Sequence, residues 1–133
     1  MAIVTLCLNY TEKCNSQCKY CKIWMIDKPK VLSLECIERA FSSPCLHLLQ
    51  TTFLTGGECL MDDHIIDICE IIREVNPRMK LMLATNAIEP EAYMNRLLKI
   101  RSMGFYIIPQ LSIMGIGENH DRLRGIRGNF NKI

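Results

Sequence analysis

The chain has 133 residues, of which 49% are hydrophobic and 23% charged, and its formal net charge is +2. That length suits one domain with a hydrophobic core, and a charge this close to neutral argues against a nucleic-acid surface or a polybasic membrane patch. No apolar run approaches the roughly 18 residues of a membrane-spanning helix, so neither nucleic acid nor membrane is expected as a partner.

Met1 to Leu8 is apolar but short, without a basic leader or a small-residue cleavage site, and reads as a strand and not as a signal peptide. The β-rich stretch itself is Ile3 to Asn9. Within it Val4, Leu6 and Leu8 are uniformly aliphatic and should face helices, leaving Thr5, Cys7 and Asn9 on the other face. Ser33 can cap a first helix carrying Leu34, Ile37, Ala40 and Phe41 on one side and stopped near Pro44. A second strand, Thr51 to Thr55, runs straight into Gly56-Gly57. Asp62 or Asp63 can cap a second helix with Ile65, Ile68, Ile72 and Val75 on one face, and Pro77 lies just past its end. Met79 to Thr85 is a third strand. A third helix begins at Pro90, a favoured first-turn residue, draws apolar contacts from Leu97, Leu98 and Ile100, and ends at Gly104. Phe105 to Ile113 is a fourth strand, interrupted by Pro109. Its Gln110 and Ser112 should share the face of Thr5, with Leu111 and Ile113 opposite.

Strands alternating with helices in this way are βαβ units, which make parallel sheets. In such sheets the chemistry collects at the C-terminal strand ends. Those ends are Asn9 to Cys21, Gly56 to Leu60, Thr85 to Ala87 and Ser112 to Gly117, and they hold nearly every unusual residue of the chain.

There are eight cysteines, and with no secretion signal metal or redox chemistry is the better default than disulfides. Cys7, Cys36, Cys45, Cys59 and Cys69 have no tight mutual spacing and are expected to be small buried apolar residues. Cys14, Cys18 and Cys21 are different: spacers of three and two residues let three thiols converge from one short loop. Thiolates are the ligands of Fe–S clusters, which normally take four. Three would leave one iron of a four-iron cluster open, as a catalytic metal requires. A zinc site completed by a distant Cys or His remains the alternative on spacing alone.

Cys14-x3-Cys18-x2-Cys21, with Tyr20 before the last cysteine, resembles the signature of the radical S-adenosylmethionine (SAM) superfamily. Thr55-Gly56-Gly57-Glu58 resembles that family's Gly-Gly-Glu motif, Thr85-Asn86 its Thr-Asn-Gly strand end, and Gln110 to Gly115 its Ser-Leu-Asp-Gly segment. His120-Asp121, Arg124-Gly125 and Gly128-Asn129-Phe130 resemble a run found in members that carry a C-terminal SPASM-type cluster domain. Cys59, Ala87 and Met114 depart from the usual Pro, Gly and Asp.

The resemblance implies an α/β fold, a partial parallel (βα) barrel of the radical SAM type. About four βα units of an expected six are present, so residues 1–133 are expected to be the N-terminal portion of the core domain, truncated at the C-terminus. It implies a [4Fe–4S] cluster on Cys14, Cys18 and Cys21, with SAM chelating the open iron. Gly56, Gly57 and Glu58 would hold the SAM amino group, Ser112 and Thr85 the ribose or carboxylate, and Tyr20 would lie near the adenine. Arg124 would reach the carboxylate, unless it joins Arg122 and Arg127 in a solvated basic cluster. The implied function is hydrogen abstraction by a 5′-deoxyadenosyl radical, from a peptide or protein side chain or from a small-molecule cofactor precursor. An electron donor such as a flavodoxin or ferredoxin, and a cytoplasmic setting, go with it. A non-catalytic Fe–S carrier or zinc-binding module is the reading from another class. His64 is expected at the surface, and Trp24 as packing.

Overall fold

The computed structural model describes residues 3–61 and 63–133. Its strands and helices alternate: β1 (Thr5–Thr11), α1 (Leu34–Phe41), β2 (Thr51–Gly56), α2 (His64–Val75), β3 (Lys80–Thr85), α3 (Pro90–Ser102), β4 (Tyr106–Leu111) and α4 (Glu118–Arg124). The four strands form one open sheet in the order β1-β2-β3-β4, and every neighbouring pair is parallel. This is the expected α/β architecture, four parallel strands alternating with helices in a sheet that does not close, consistent with part of a βα barrel. No helix among the described residues is long and apolar enough to cross a membrane.

The period-two pattern sorts the faces. Leu6 pairs in register with Thr52, which pairs with Leu81 and then Ile107. One step on, Leu8, Leu54 and Leu83 form the next row. These side chains meet α1, α2 and α3 in a core that includes Ile37, Phe41, Ile65, Ile68, Ile72, Leu97 and Ile100. Thr5, Cys7 and Asn9 are exposed on the opposite face, with Phe53, Met82 and Ile108 half-buried beside them.

β1 starts later than expected and runs to Thr11, because the register slips at Tyr10: Asn9 pairs with Thr55 and Thr11 with Gly56. The bulge turns Tyr10 into the core, where its hydroxyl donates to the Cys59 carbonyl, and bulges of this kind re-aim side chains beside functional sites. Ser33 caps α1 as expected, its hydroxyl accepting from Cys36 N–H at 3.2 Å. At the start of α2, Asp62 lies outside the described residues. Asp63 occupies the cap position, but its carboxylate accepts from Arg96 Nε at 2.8 Å in place of a helix N–H. In α3, Leu98 is exposed, and Tyr93 takes the buried place expected for it. Ala40 and Val75 are likewise exposed at the margins of their helices.

The five remaining cysteines divide. Cys59 and Cys69 are buried as expected, whereas Cys7, Cys36 and Cys45 are exposed. Cys7 sits on the sheet face that no helix covers, and Cys36 lies on α1 away from the Ile37–Phe41 stripe. All eight are free thiols.

The face assignment has a direct consequence for stability. Leu83 is fully buried on the helix side, so Leu83→Ala should cost about 2–5 kcal/mol in urea unfolding. Met82→Ala, on the uncovered face, should cost about 1 kcal/mol, as typical single substitutions do. Equal losses would mean that the sheet packs on both sides.

Candidate functional site

The loop after β1 is pressed between two other segments. On its first side, Gly57 N–H donates to Thr11 O and Glu58 N–H to Lys13 O, both at 2.8 Å. A Cβ on Gly57 would lie 2.0 Å from Lys13 O, and one on Gly56 2.2 Å from Thr11 O. The missing side chains of Gly56-Gly57 therefore admit β1 and the cysteine loop. What the two glycines offer the cavity is their backbone.

On its second side the loop meets the end of α4. Gln17 N–H donates to Arg124 O at 3.2 Å and Lys19 N–H to Leu123 O at 3.0 Å, and Ser16 Oγ also donates to Arg124 O, at 3.1 Å. Gly125 ends α4 with φ 71°, and a Cβ there would lie 2.3 Å from Gln17 O. A left-handed cap favours glycine in any case; here contact with the cysteine loop excludes everything else. Asn15 holds a third side, donating to Tyr93 Oη at 2.8 Å and Glu89 Oε1 at 3.0 Å, and accepting from Asn86 Nδ2 at 2.9 Å.

So held, the loop lines a cavity of about 200 Å³ at the C-terminal ends of the strands. Cys14, Cys18 and Cys21 contribute to it together with Tyr20 from the same loop. Gly56, Gly57 and Glu58 enter from the end of β2, Thr85 from β3, Ser112 from just past β4, and Arg124 from α4. All ten residues singled out in the sequence therefore border one space. The strands are parallel, so one end of the sheet collects them.

Within that space the thiols are near neighbours but not a closed set. Cys18 is buried, with its Sγ 3.1 Å from Ser16 Oγ; Cys14 and Cys21 are half-buried. Among the described residues no three His, Cys, Asp or Glu side chains are grouped closely enough to hold a single metal ion, although all three thiols border the same cavity. Protonated thiols have no mutual attraction, and ligand geometry of this kind is completed by the metal. Burial pushes the Cys14 thiol up, against a backbone hydrogen bond at Ser16, while the nearby Glu58 pushes it further.

Glu58 is 1% exposed. Its Oε1 accepts from Leu60 N–H at 3.1 Å and its Oε2 from Asn86 N–H at 2.7 Å. Burial raises its carboxyl above the usual range, and the Asn86 and Leu60 amides, the Thr85 hydroxyl and Arg124 pull the other way. Arg124 is 6% exposed, so it does not belong to a solvated cluster with the exposed Arg122 and Arg127. Its Nη1 donates to Tyr20 Oη at 3.0 Å, and its buried Nε has no partner. A buried guanidinium N–H left open at a cavity wall is one that an anionic ligand would satisfy.

Several other residues take parts that the sequence did not assign. Cys59 Sγ donates to Ala84 O at 2.9 Å, a bond that proline at this position could not make. Trp24 is more than packing, since Nε1 donates to Cys18 O at 3.1 Å and steadies the cysteine loop. His64 is half-buried, not superficial: its ring lies 6.2 Å from that of Tyr10 and its Nε2 is 3.1 Å from Leu32 O. Asn15, Tyr93 and Asn129 are the remaining omissions. Asn15 occupies a variable position of the cysteine motif, and nothing local in the sequence marks it.

Compared with known proteins, the chain matches the family model described as the Radical SAM superfamily over residues 8–133. No curated protein matches it.

Gly125→Ala should lower the unfolding midpoint clearly, because a left-handed alanine alone costs about 1–2 kcal/mol and its methyl group would strike Gln17 O. Arg122→Ala, on the exposed side of α4, should stay within about 0.5 kcal/mol of the parent. Equal behaviour of the two in thermal unfolding would show that α4 does not brace the loop.

Proposed function

The chain belongs to the radical SAM superfamily, and on that premise we propose that it cleaves SAM reductively at a [4Fe–4S] cluster held by Cys14, Cys18 and Cys21, for hydrogen abstraction from a peptide or protein side chain. The shared cavity carries this reading: three thiols from one loop border the same space as Glu58, Thr85, Ser112 and Arg124. Members of the family normally bind such a cluster and SAM, and the residues here fit both in kind. Three thiols match iron, and the unpaired Arg124 Nε matches a carboxylate.

When bound, the reduced cluster supplies the electron that splits SAM into methionine and the 5′-deoxyadenosyl radical. The rest falls to the chain. The thiols give up their protons to become ligands, so loading releases protons. Glu58 keeps a fixed carboxylate at the end of β2, each oxygen aligned by one amide with the Thr85 hydroxyl also bonded to it, and a remaining lone pair would meet a SAM ammonium. Arg124, bonded to Tyr20 where both border the cavity, would supply positive charge to a carboxylate there. Ser112 and Thr85 add hydroxyls at the adjoining strand ends.

The peptide or protein substrate is supported by the His120 to Phe130 run, which resembles that of SPASM-type members. A small protein donor of the flavodoxin or ferredoxin type would supply the electron, since the side chains lining the cavity include no electron store of their own. Eight free thiols suit a reducing compartment such as the cytoplasm.

Anaerobic reconstitution with iron and sulfide, followed by dithionite and SAM, should yield 5′-deoxyadenosine and methionine in equal amounts by chromatography. Cys14→Ala, Cys18→Ala and Cys21→Ala should each lose both the iron and the products. Cys36→Ala, on the exposed face of α1, should keep them. Bound iron with no cleavage would point to an electron carrier, and bound zinc without iron to a zinc module; either would contradict the proposal.

A further inference from the structure

His120 is fully buried although its side chain is ionisable. Its partners fix the tautomer: Nδ1 accepts from Met114 N–H at 3.2 Å, so Nε2 carries the proton and donates to Asn129 Oδ1 at 3.1 Å. With its oxygen engaged in this way, Asn129, itself fully buried, aims its amide nitrogen at two backbone carbonyls. Asn129 Nδ2 lies 3.3 Å from Asn86 O and 3.4 Å from Ala87 O. The segment carrying Asn129 is fastened separately by Asp121, whose carboxylate accepts from Phe130 N–H at 2.8 Å and from Gly128 N–H.

The turn that Asn129 grips is the unusual piece of backbone. Ala87 has φ 53°, the sole positive value at a non-glycine residue among the described ones, in a region where a Cβ is unfavourable. A residue in that state persists when its surroundings over-determine it. Ala87 N–H donates to Thr85 Oγ1 at 3.2 Å, and Ile88 N–H to Asn86 Oδ1 at 3.0 Å. The same turn delivers Asn86 N–H to Glu58 Oε2 at 2.7 Å and Asn86 Nδ2 to Asn15 Oδ1 at 2.9 Å. A continuous series of hydrogen bonds thus runs from the end of β4, through His120 and Asn129, to the Glu58 carboxylate and the cysteine loop.

Resting on the SAM-binding role given above, we propose that His120 and Asn129 are positioning residues: they hold the Asn86–Ala87 turn, and through it Glu58 and Asn15, in the geometry that receives SAM. Neither lines the cavity. Their effect passes through the turn, and the turn is where it can be read.

Amide hydrogen exchange of the metal-free chain, followed by nuclear magnetic resonance, reads the turn without any cofactor. His120→Ala and Asn129→Ala should each speed exchange of the Asn86 amide by about tenfold or more, a loss of local protection comparable to one hydrogen bond. The Leu54 and Leu83 amides should exchange as in the parent. His120→Gln, able to accept from Met114 and to donate to Asn129, should keep most of the protection. Asn129→Asp keeps the shape and the acceptor for His120 but has no donor for the turn; it should behave like Asn129→Ala and serves in its place if the alanine variant does not fold. In the reconstituted chain the Kd for SAM should rise about tenfold in Asn129→Asp, with KM raised and kcat largely kept. An Asn86 amide that stays protected would overturn the proposal, as would one that accelerates only in step with Leu54 and Leu83. Unchanged SAM affinity despite a locally opened turn would overturn it equally. A parent chain that binds no SAM would defeat the function proposed above, and the exchange data would still decide whether His120 and Asn129 hold the turn.

Discussion

Two backbone contacts made possible by glycine set the position of everything else at the site. Lys13 O lies where a side chain on Gly57 would be, and Gln17 O where one on Gly125 would be. Between them the cysteine loop is held at the sheet's C-terminal end by four backbone hydrogen bonds, from Gly57, Glu58, Gln17 and Lys19. A loop rich in exposed or half-buried polar groups would otherwise be the mobile part of a parallel sheet. Here it is packed from both sides, so its thiols border the same space as the strand-end residues. Local fixation is what a site built on a loop needs before a cofactor arrives.

The chemistry of the cavity follows from this packing. Closing the loop over the strand ends buries Glu58 and Arg124, and burial makes each of them costly unless it is satisfied. Glu58 is answered by amides of the loop after β2 and the turn after β3. Arg124 is answered only in part, by Tyr20 on one nitrogen. The asymmetry leaves a positive, incompletely bonded group facing a carboxylate and three thiols across a small volume. Such a site is better prepared for a zwitterionic ligand and an anionic cluster than for a neutral one.

Much of this was legible in the residues. The period-two alternation of Leu6 and Leu8 against Thr5, Cys7 and Asn9 gives the correct core side of β1, because a sheet covered by helices on one face leaves a strong pattern; Val4, expected with them, lies ahead of the strand and is exposed. The proline at the start of α3 and the glycine after its end bounded that helix to within a residue or two. Nine of the ten residues that border the cavity stand at a strand end or in the cysteine motif, and a parallel sheet brings such positions together; Arg124, at the end of α4, is marked only by the resemblance. What stayed hidden depends on distant partners. Asp63 is drawn from its capping role by Arg96, Tyr10 turns inward through a bulge, and the Cβ sides of Gly56 and Gly57 admit the chain around the cysteine loop. Asn15 bonds residues at least 71 positions away, and Asn129, besides accepting from the nearby His120, reaches back 42 and 43 positions to the turn after β3; no local pattern carries those distant contacts. His120 is marked in the sequence only by the resemblance, and both its ring nitrogens are engaged within the protein, by Met114 and Asn129.

The central claim is that the thiol loop and the strand ends form one binding site and not two adjoining features. The most direct measurement is electron paramagnetic resonance of the anaerobically reconstituted, reduced chain, recorded before and after addition of SAM. A cluster with three protein ligands should give a reduced [4Fe–4S] spectrum whose g-values change on adding SAM, because SAM meets both the open iron and the strand-end residues. A reduced cluster with a spectrum indifferent to saturating SAM, in a chain that circular dichroism shows to be folded, would contradict the claim.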